Sequence, residues 1–278
     1  MASCKAVYMV TDMEGVAGVD EWDPRHADYA NTARGVSDRS EIRRLLTGEV
    51  NAAAAGLFDA GVEEVLINDA HGAGRTILPE DLMPGVKIAR GLPRPSSLIG
   101  LTPRFDALVQ VGMHAMAKTL HACLCHTGSK GYVYRLNGRE VGEMQMAAYQ
   151  AGEMGVPWIY TSGDSHACTE AEAWVEGMVT AAVKEGLSEQ CAIHLAPVDA
   201  RALIRRTIAQ AVECCASISP SCLDPPVVLE IVREEPWPPG ARPDVERGDE
   251  HTLRYAGDSV WQVANWAARG VKNMPLPR

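Results

Sequence analysis

The sequence predicts an α/β fold with a largely parallel central sheet flanked by helices and a smaller C-terminal subdomain. Three observations lead there. Short apolar runs rich in strand formers alternate with stretches of helical period, which favours parallel pairing. Several of these runs end in a polar or ionisable residue, and the 278 residues, 46% hydrophobic, suffice for a large core.

Ala6 to Asp12 reads as a buried strand closed by a turn at Gly15 and Gly18. From Glu41 to Ala60 the apolar positions Ile42, Leu45, Leu46, Val50, Ala53, Ala54 and Leu57 predict a helix that Gly61 ends. Val62 to Asp69 is a second strand, leaving through the loop Asp69-Ala-His-Gly-Ala-Gly74. Val86 to Ala89 and Ala107 to Met113 are further strands, the latter running directly into His114. Asn137-Gly138 predicts a tight hairpin between Tyr132–Leu136 and Glu140–Val141, because both turn residues tolerate positive φ.

Glu143 to Glu153 reads as a helix, Pro157 to Ser162 as a strand, and Thr169 to Lys184 as mostly helical with Gly177 as a weak point. Ser217 to Pro226 has the composition of a linker, Val227 to Val232 is strand-like, Glu234 to Glu250 reads as an exposed loop, and a helix spans about Ser259 to Arg269. The expected division falls at about residue 190, between an α/β region (1–190) and a C-terminal α+β subdomain (191–278).

Charge and composition exclude several function classes. A formal net charge of −10 without a basic cluster argues against nucleic acid as a partner. No apolar run approaches the ~20 residues that cross a bilayer, so no membrane association is expected. The N-terminus reaches Asp12 before a secretory apolar region could be completed, and the eight cysteines form no CxxC pairs, which together predict a cytoplasmic protein with reduced thiols.

In open α/β sheets, residues just beyond the carboxyl ends of separate strands converge on one crevice. Asp12 with Glu14, Asp69 with His71, and His114 all hold such positions, and Asp164 follows another strand. A strand-end Asp or His alone is usually a hydrogen-bonded turn residue; the shared placement is what points to a site. Mixed carboxylates and imidazoles suit zinc or a related first-row metal, and a bridging carboxylate lets two cations share one cavity. Glu143, at a helix start, is on its own just a favourable first-turn charge.

Thr11-Asp-Met-Glu-Gly15, Asn68-Asp-Ala-His71, Gly112-Met-His-Ala115 and Val141-Gly-Glu143 occur in the order and approximate spacing of the DppA-type zinc D-aminopeptidases, which this chain resembles from about residue 6 to 184. Thr47-x-Glu49-x-Asn51 and Ser162-Gly-Asp164 are similar to that family too. The resemblance implies two zinc ions per subunit, with Asp12 bridging them and Glu14, His71, His114 and Glu143 as the other protein ligands. It implies a catalytic histidine at His126, in Cys125-His126-Thr127, with His121 the other candidate. It also implies hydrolysis of short peptides or amino acid amides with an N-terminal D-residue, and a homo-oligomer, with a decameric ring as the suggested assembly.

Leu120-His-Ala-Cys-Leu-Cys125 departs from the family pattern. If residues 121–126 are extended, His121, Cys123 and Cys125 share one face and His126 takes the other. A soft-metal cluster of His121, Cys123, Cys125 and His126 is the rival reading of this stretch; the default is that the two cysteines are small buried hydrophobes. For the chain as a whole, a two-metal phosphoesterase or other amidohydrolase, and a non-catalytic peptide- or metal-binding module, are the alternatives. Glu49 is open between a solvated residue, a partner of Arg43 or Arg44, and a group supporting the site.

Overall fold

The computed structural model describes residues 4–28, 30–72 and 74–278. In chain order the elements are β1 (Ala6–Thr11), α1 (Ala33–Asp59), β2 (Glu64–Asp69), β3 (Val86–Ala89), β4 (Ala107–Met113), β5 (Tyr132–Leu136), β6 (Arg139–Val141), α2 (Glu143–Gly152), β7 (Trp158–Asp164), α3 (Ser165–Trp174), β8 (Val179–Ser188), β9 (Cys191–His194), α4 (Pro197–Cys214), β10 (Val227–Arg233), β11 (Glu246–Arg247), β12 (Thr252–Gly257) and α5 (Val260–Arg269). Among the described residues they build two sheets.

The larger sheet has seven strands in the order β3-β2-β1-β4-β7-β8-β9, parallel throughout except for the antiparallel edge strand β9. β4 and β7 are buried along their whole length, as their central place in the parallel sheet requires, with the polar Gln110, Thr161, Ser162 and Asp164 buried among the apolar residues. α1 and α4 pack on each other and on this sheet; Ala200, Ile204, Ile208 and Ala211 form the stripe that α4 buries. The strand order reverses between β1 and β4, which opens a crevice at their carboxyl ends.

The smaller sheet is antiparallel, in the order β11-β12-β10-β5-β6, and is covered by α5. Its β5–β6 hairpin turns at Asn137 (φ 48°) and Gly138 (φ 82°), as the Asn-Gly pair predicts. α2 serves both cores: Met144, Ala147, Ala148 and Ala151 pack under the large sheet, whereas Met146 and Tyr149 pack with β10, β12 and α5. No single boundary near residue 190 separates the two sheets, because β5 and β6 come from the middle of the chain and α4, beyond 190, belongs to the larger core.

The helix expected over 169–184 is corrected to a short α3 and the strand β8. Gly177, at φ 81°, breaks the chain between them, and Val179-Thr-Ala-Ala-Val183 then adds a parallel strand beside β7. α1 begins eight residues before the expected start because its first two turns are largely exposed and carry no apolar periodicity; Thr32 caps them by accepting from the Gly35 N–H at 3.2 Å. The loop after β2 includes residue 73, which lies outside the described residues.

Where β1 and β4 end, the backbones touch: the Gly15 N–H donates to the Gly112 carbonyl at 2.8 Å, and a Cβ on Gly15 would overlap the Met113 carbonyl. Gly15→Ala should therefore force the two strand ends apart and destabilise the protein by about 1–3 kcal/mol. Urea denaturation of the variant beside wild type checks this, with an unchanged midpoint as the contrary result.

Candidate metal centre

Asp12 leaves β1, His71 leaves β2 and His114 leaves β4, so three neighbouring parallel strands deliver their side chains to one crevice. Glu14 follows on the loop from β1, and Glu143 opens α2, where the Gly142 N–H donates to Gln145 Oε1 at 2.9 Å and fixes the helix start. All five meet. Asp12 sits between the two histidines, with Oδ1 2.8 Å from His71 Nδ1 and Oδ2 3.1 Å from His114 Nε2. Glu14 Oε2 lies 3.1 Å from His71 Nδ1, and Glu143 Oε1 lies 3.8 Å from His114 Nε2.

His126 joins this group and His121 does not. The 121–126 segment is not extended: His121 and Leu124 adopt positive φ (65° and 54°), and these turns leave His121 exposed while bringing His126 back over the crevice. His126 stacks on His114 with ring centroids 4.1 Å apart, meets the edge of Trp22, and points Nε2 at Glu143 Oε1 from 3.6 Å. Its Nδ1 faces the Leu124 carbonyl at 3.0 Å; a carbonyl only accepts, so Nδ1 carries the proton and Nε2 is the nitrogen offered to the cavity. Cys123 is fully buried, and no group close enough to hold a metal among the described residues includes Cys123, Cys125 or His121, in keeping with a small core hydrophobe.

The electrostatics follow from packing carboxylates together out of water. Burial opposes charge on His71 and His114, yet the facing carboxylates prevail: His71 is raised well above its ordinary value by Glu14, Asp12 and Asp23, and His114 is raised to about 10 by Asp12, Glu143 and Glu14. Burial likewise opposes the Asp12 charge, but His114 and His71 hold its pKa well below the usual carboxylate range. His114 Nδ1 donates to the Ala115 carbonyl at 2.8 Å, which turns Nε2 inward. Two overlapping sets of atoms lie close enough to hold a metal ion: Asp12, Glu14 and His114, and His114, His126 and Glu143.

Three supporting residues were outside the sequence reading. Asp23 lies 3.1 Å from His71 Nε2 and pairs with Arg25; Asp23-Pro24, an N-cap followed by proline, was its available signal. Lys184, buried on β8, donates to the carbonyls of Glu14 and Val19, the second at 2.7 Å, and so fixes the loop that bears Asp12 and Glu14. Glu170 accepts from the Met116 N–H at 3.0 Å and from Thr119 Oγ1 at 2.6 Å, which secures the chain after His114. The last two carried no local signal.

Glu49 is fully buried and accepts the Ala17 N–H at 2.9 Å; its neighbouring charges are Arg201 and Lys184, not Arg43 or Arg44. Asp164 caps α3 through the His166 N–H and also accepts the Cys123 N–H. His166 and His194 bond to backbone groups of Gly186 and Gly18, outside the crevice.

The model of the D-aminopeptidase family matches residues 6–268. This chain belongs to the D-aminopeptidase family. The match extends through the C-terminal region, beyond the stretch to residue 184 over which motifs are legible. A curated D-aminopeptidase of Bacillus subtilis (strain 168) is 32% identical over 222 residues, covering 79% of this chain and 77% of that protein. A solved structure described as "Zn-dependent D-aminopeptidase DppA from Bacillus subtilis, a self-compartmentalizing protease" superposes with a TM-score of 0.84 at 27% identity, covering 95% of each chain. Membership in the D-aminopeptidase family thus rests on nearly the whole length.

Burial pushes the Glu49 pKa from 4.5 up to about 8. The folded protein therefore keeps this proton to about pH 8 while the unfolded chain loses it near 4.5, so its contribution to stability declines as pH rises through that window, by up to about 1.4 kcal/mol per pH unit. Glu49→Gln should remove that slope, gaining stability relative to wild type from pH 5 to 8.5 in denaturation series. Parallel curves would contradict it.

Proposed function

We propose that this D-aminopeptidase-family chain is a zinc-dependent aminopeptidase that removes N-terminal D-residues from short peptides or amino acid amides, with two zinc ions per subunit. The observation that carries the reading is the meeting of Asp12, Glu14, His71, His114 and Glu143 at the carboxyl ends of adjacent strands, with Asp12 offering one oxygen toward each histidine. The donor set fits zinc: imidazole nitrogens and carboxylate oxygens are its common ligands. Glu14 Oε2 and His114 Nε2 support this fit, being buried without a hydrogen-bond partner among the described residues. Asp12, Glu14, His71, His114 and Glu143 would hold the zinc, with Asp12 placed between the two histidines.

Zinc held there supplies Lewis acidity toward a peptide carbonyl and toward water. The chain's own residues supply the rest. His126, its Nδ1 proton fixed on the Leu124 carbonyl, accepts and returns a proton at Nε2. Asp23 orients His71 from the far side of its ring, and the stacked His114 and Trp22 edge hold the His126 plane. The cavity, about 850 Å³, has room for a few residues of substrate.

No helix among the described residues is long and apolar enough to cross a membrane, and all eight thiols are free, which supports a cytoplasmic location. The self-compartmentalizing relative supports a homo-oligomeric ring for this chain too.

The purified protein should hydrolyse D-alanine amide, lose that activity on dialysis against a chelator, and recover it with zinc. His126→Ala should keep its zinc yet lose about 10²–10⁴-fold in kcat. Full activity after exhaustive chelation, or an unaffected His126→Ala variant, would overturn the reading.

A further inference from the structure

Cys4 and Cys215 meet at the end of the large sheet away from the metal centre. Cys4 is buried just before β1, and Cys215, partly exposed, follows the last residue of α4 and packs against the same core. Asp106 holds both in place: its carboxylate accepts the N–H groups of Lys5 at 2.7 Å and Ala6 at 2.8 Å, and its carbonyl accepts the Cys215 S–H at 3.7 Å. The Lys5 carbonyl in turn accepts from the N–H groups of Glu63 and Glu64 at 2.8 and 3.0 Å, so Cys4 sits on a chain fixed from both flanks.

The two sulfurs interact directly. The Cys4 S–H donates to Cys215 Sγ; that bond and burial hold the proton on Cys4, and the same bond lowers the Cys215 pKa below its ordinary value. A buried cysteine is usually a small hydrophobe, which accounts for Cys123 and Cys168. It does not account for Cys215, which is partly exposed and whose sulfur sits between a second thiol and a carbonyl. An accessible, more readily ionised sulfur backed by another thiol has the parts of a reversible oxidation site.

We propose that Cys4 and Cys215 form a reversible disulfide when the protein meets hydrogen peroxide, a staple between the start of β1 and the end of α4. The Cys215 thiolate attacks one peroxide oxygen and hydroxide leaves, giving a sulfenic acid. The Cys4 sulfur then attacks the Cys215 sulfur, the S–O bond breaks, and the Cys4 proton leaves with the hydroxyl as water. The two thiols together give up two electrons and two protons, and one peroxide is reduced to two waters. The bridge closes a loop of most of the chain, which removes freedom mainly from the unfolded state. Asp12 lies at the opposite end of β1, so the staple leaves the metal centre as it is, and the inference stands apart from the aminopeptidase reading.

In the test, purified full-length protein is reduced, freed of reductant, exposed to equimolar hydrogen peroxide, alkylated and digested. Mass spectrometry should find Cys4 and Cys215 joined in a linked peptide pair that dithiothreitol separates, and the same link in Cys214→Ser. Urea denaturation of oxidised beside reduced protein should show the midpoint rise by about 1 M, with no rise in Cys4→Ala or Cys215→Ala. Three results would overturn the proposal: Cys4 and Cys215 both alkylated after peroxide, a link between Cys214 and Cys215 instead, or Cys215 oxidised beyond sulfenic acid with Cys4 still alkylated. A midpoint unmoved by complete bridging would equally refute the staple.

Discussion

Carboxylates cannot be gathered out of water unless positive charge is gathered with them. Asp12, Glu14 and Asp23 are all buried at the carboxyl end of the large sheet; His71 and His114 face Asp12, and Arg25 pairs with Asp23, while the surrounding carboxylates raise both histidines above their ordinary pKa values. Protons on imidazoles and a bound cation compete for the same nitrogens, so the constraint that raises the histidines is the one that favours metal. The surroundings hold the arrangement under that strain of like charges. Lys184 fixes the Glu14 carbonyl, Glu49 the Ala17 N–H, and Glu170 the chain after His114.

The fold brings this about with few elements. A reversal of strand order between β1 and β4 places Asp12 and His114 side by side, and β2 adds His71 at the next position. The fifth group arrives by a different route, since Glu143 depends on α2, whose two faces join the two cores. Because α5 and β10 also wall the cavity, the second sheet contributes to the site as well as to stability.

Legibility in the sequence followed the strength of local signals. β1, β4 and the Asn137-Gly138 hairpin carry largely apolar runs or a turn pair with one favourable geometry, and their extents match the expectation almost to the residue. β8 was hidden because Ala181, Ala182 and the flanking glutamates suit a helix, and only pairing with β7 makes the segment a strand. α4 went unassigned although Ile204 and Ile208 lie on one face, since its polar residues dilute a stripe that is completed only by packing on α1. The turn that exposes His121 and returns His126 depends on positive φ at two non-glycine residues, a conformation that composition does not announce. Lys184 reaches the Glu14 and Val19 carbonyls across the fold, so no window of sequence could contain it with its partners.

Metal analysis of Asp12→Asn beside wild type tests the central claim most directly, because Asp12 sits between the two histidines, with one oxygen toward each. After zinc loading and desalting, wild type should retain two equivalents per chain, and the variant, still folded by circular dichroism, fewer than one. Zinc retained equally by both proteins, or by neither, would contradict a cation pair organised around that carboxylate.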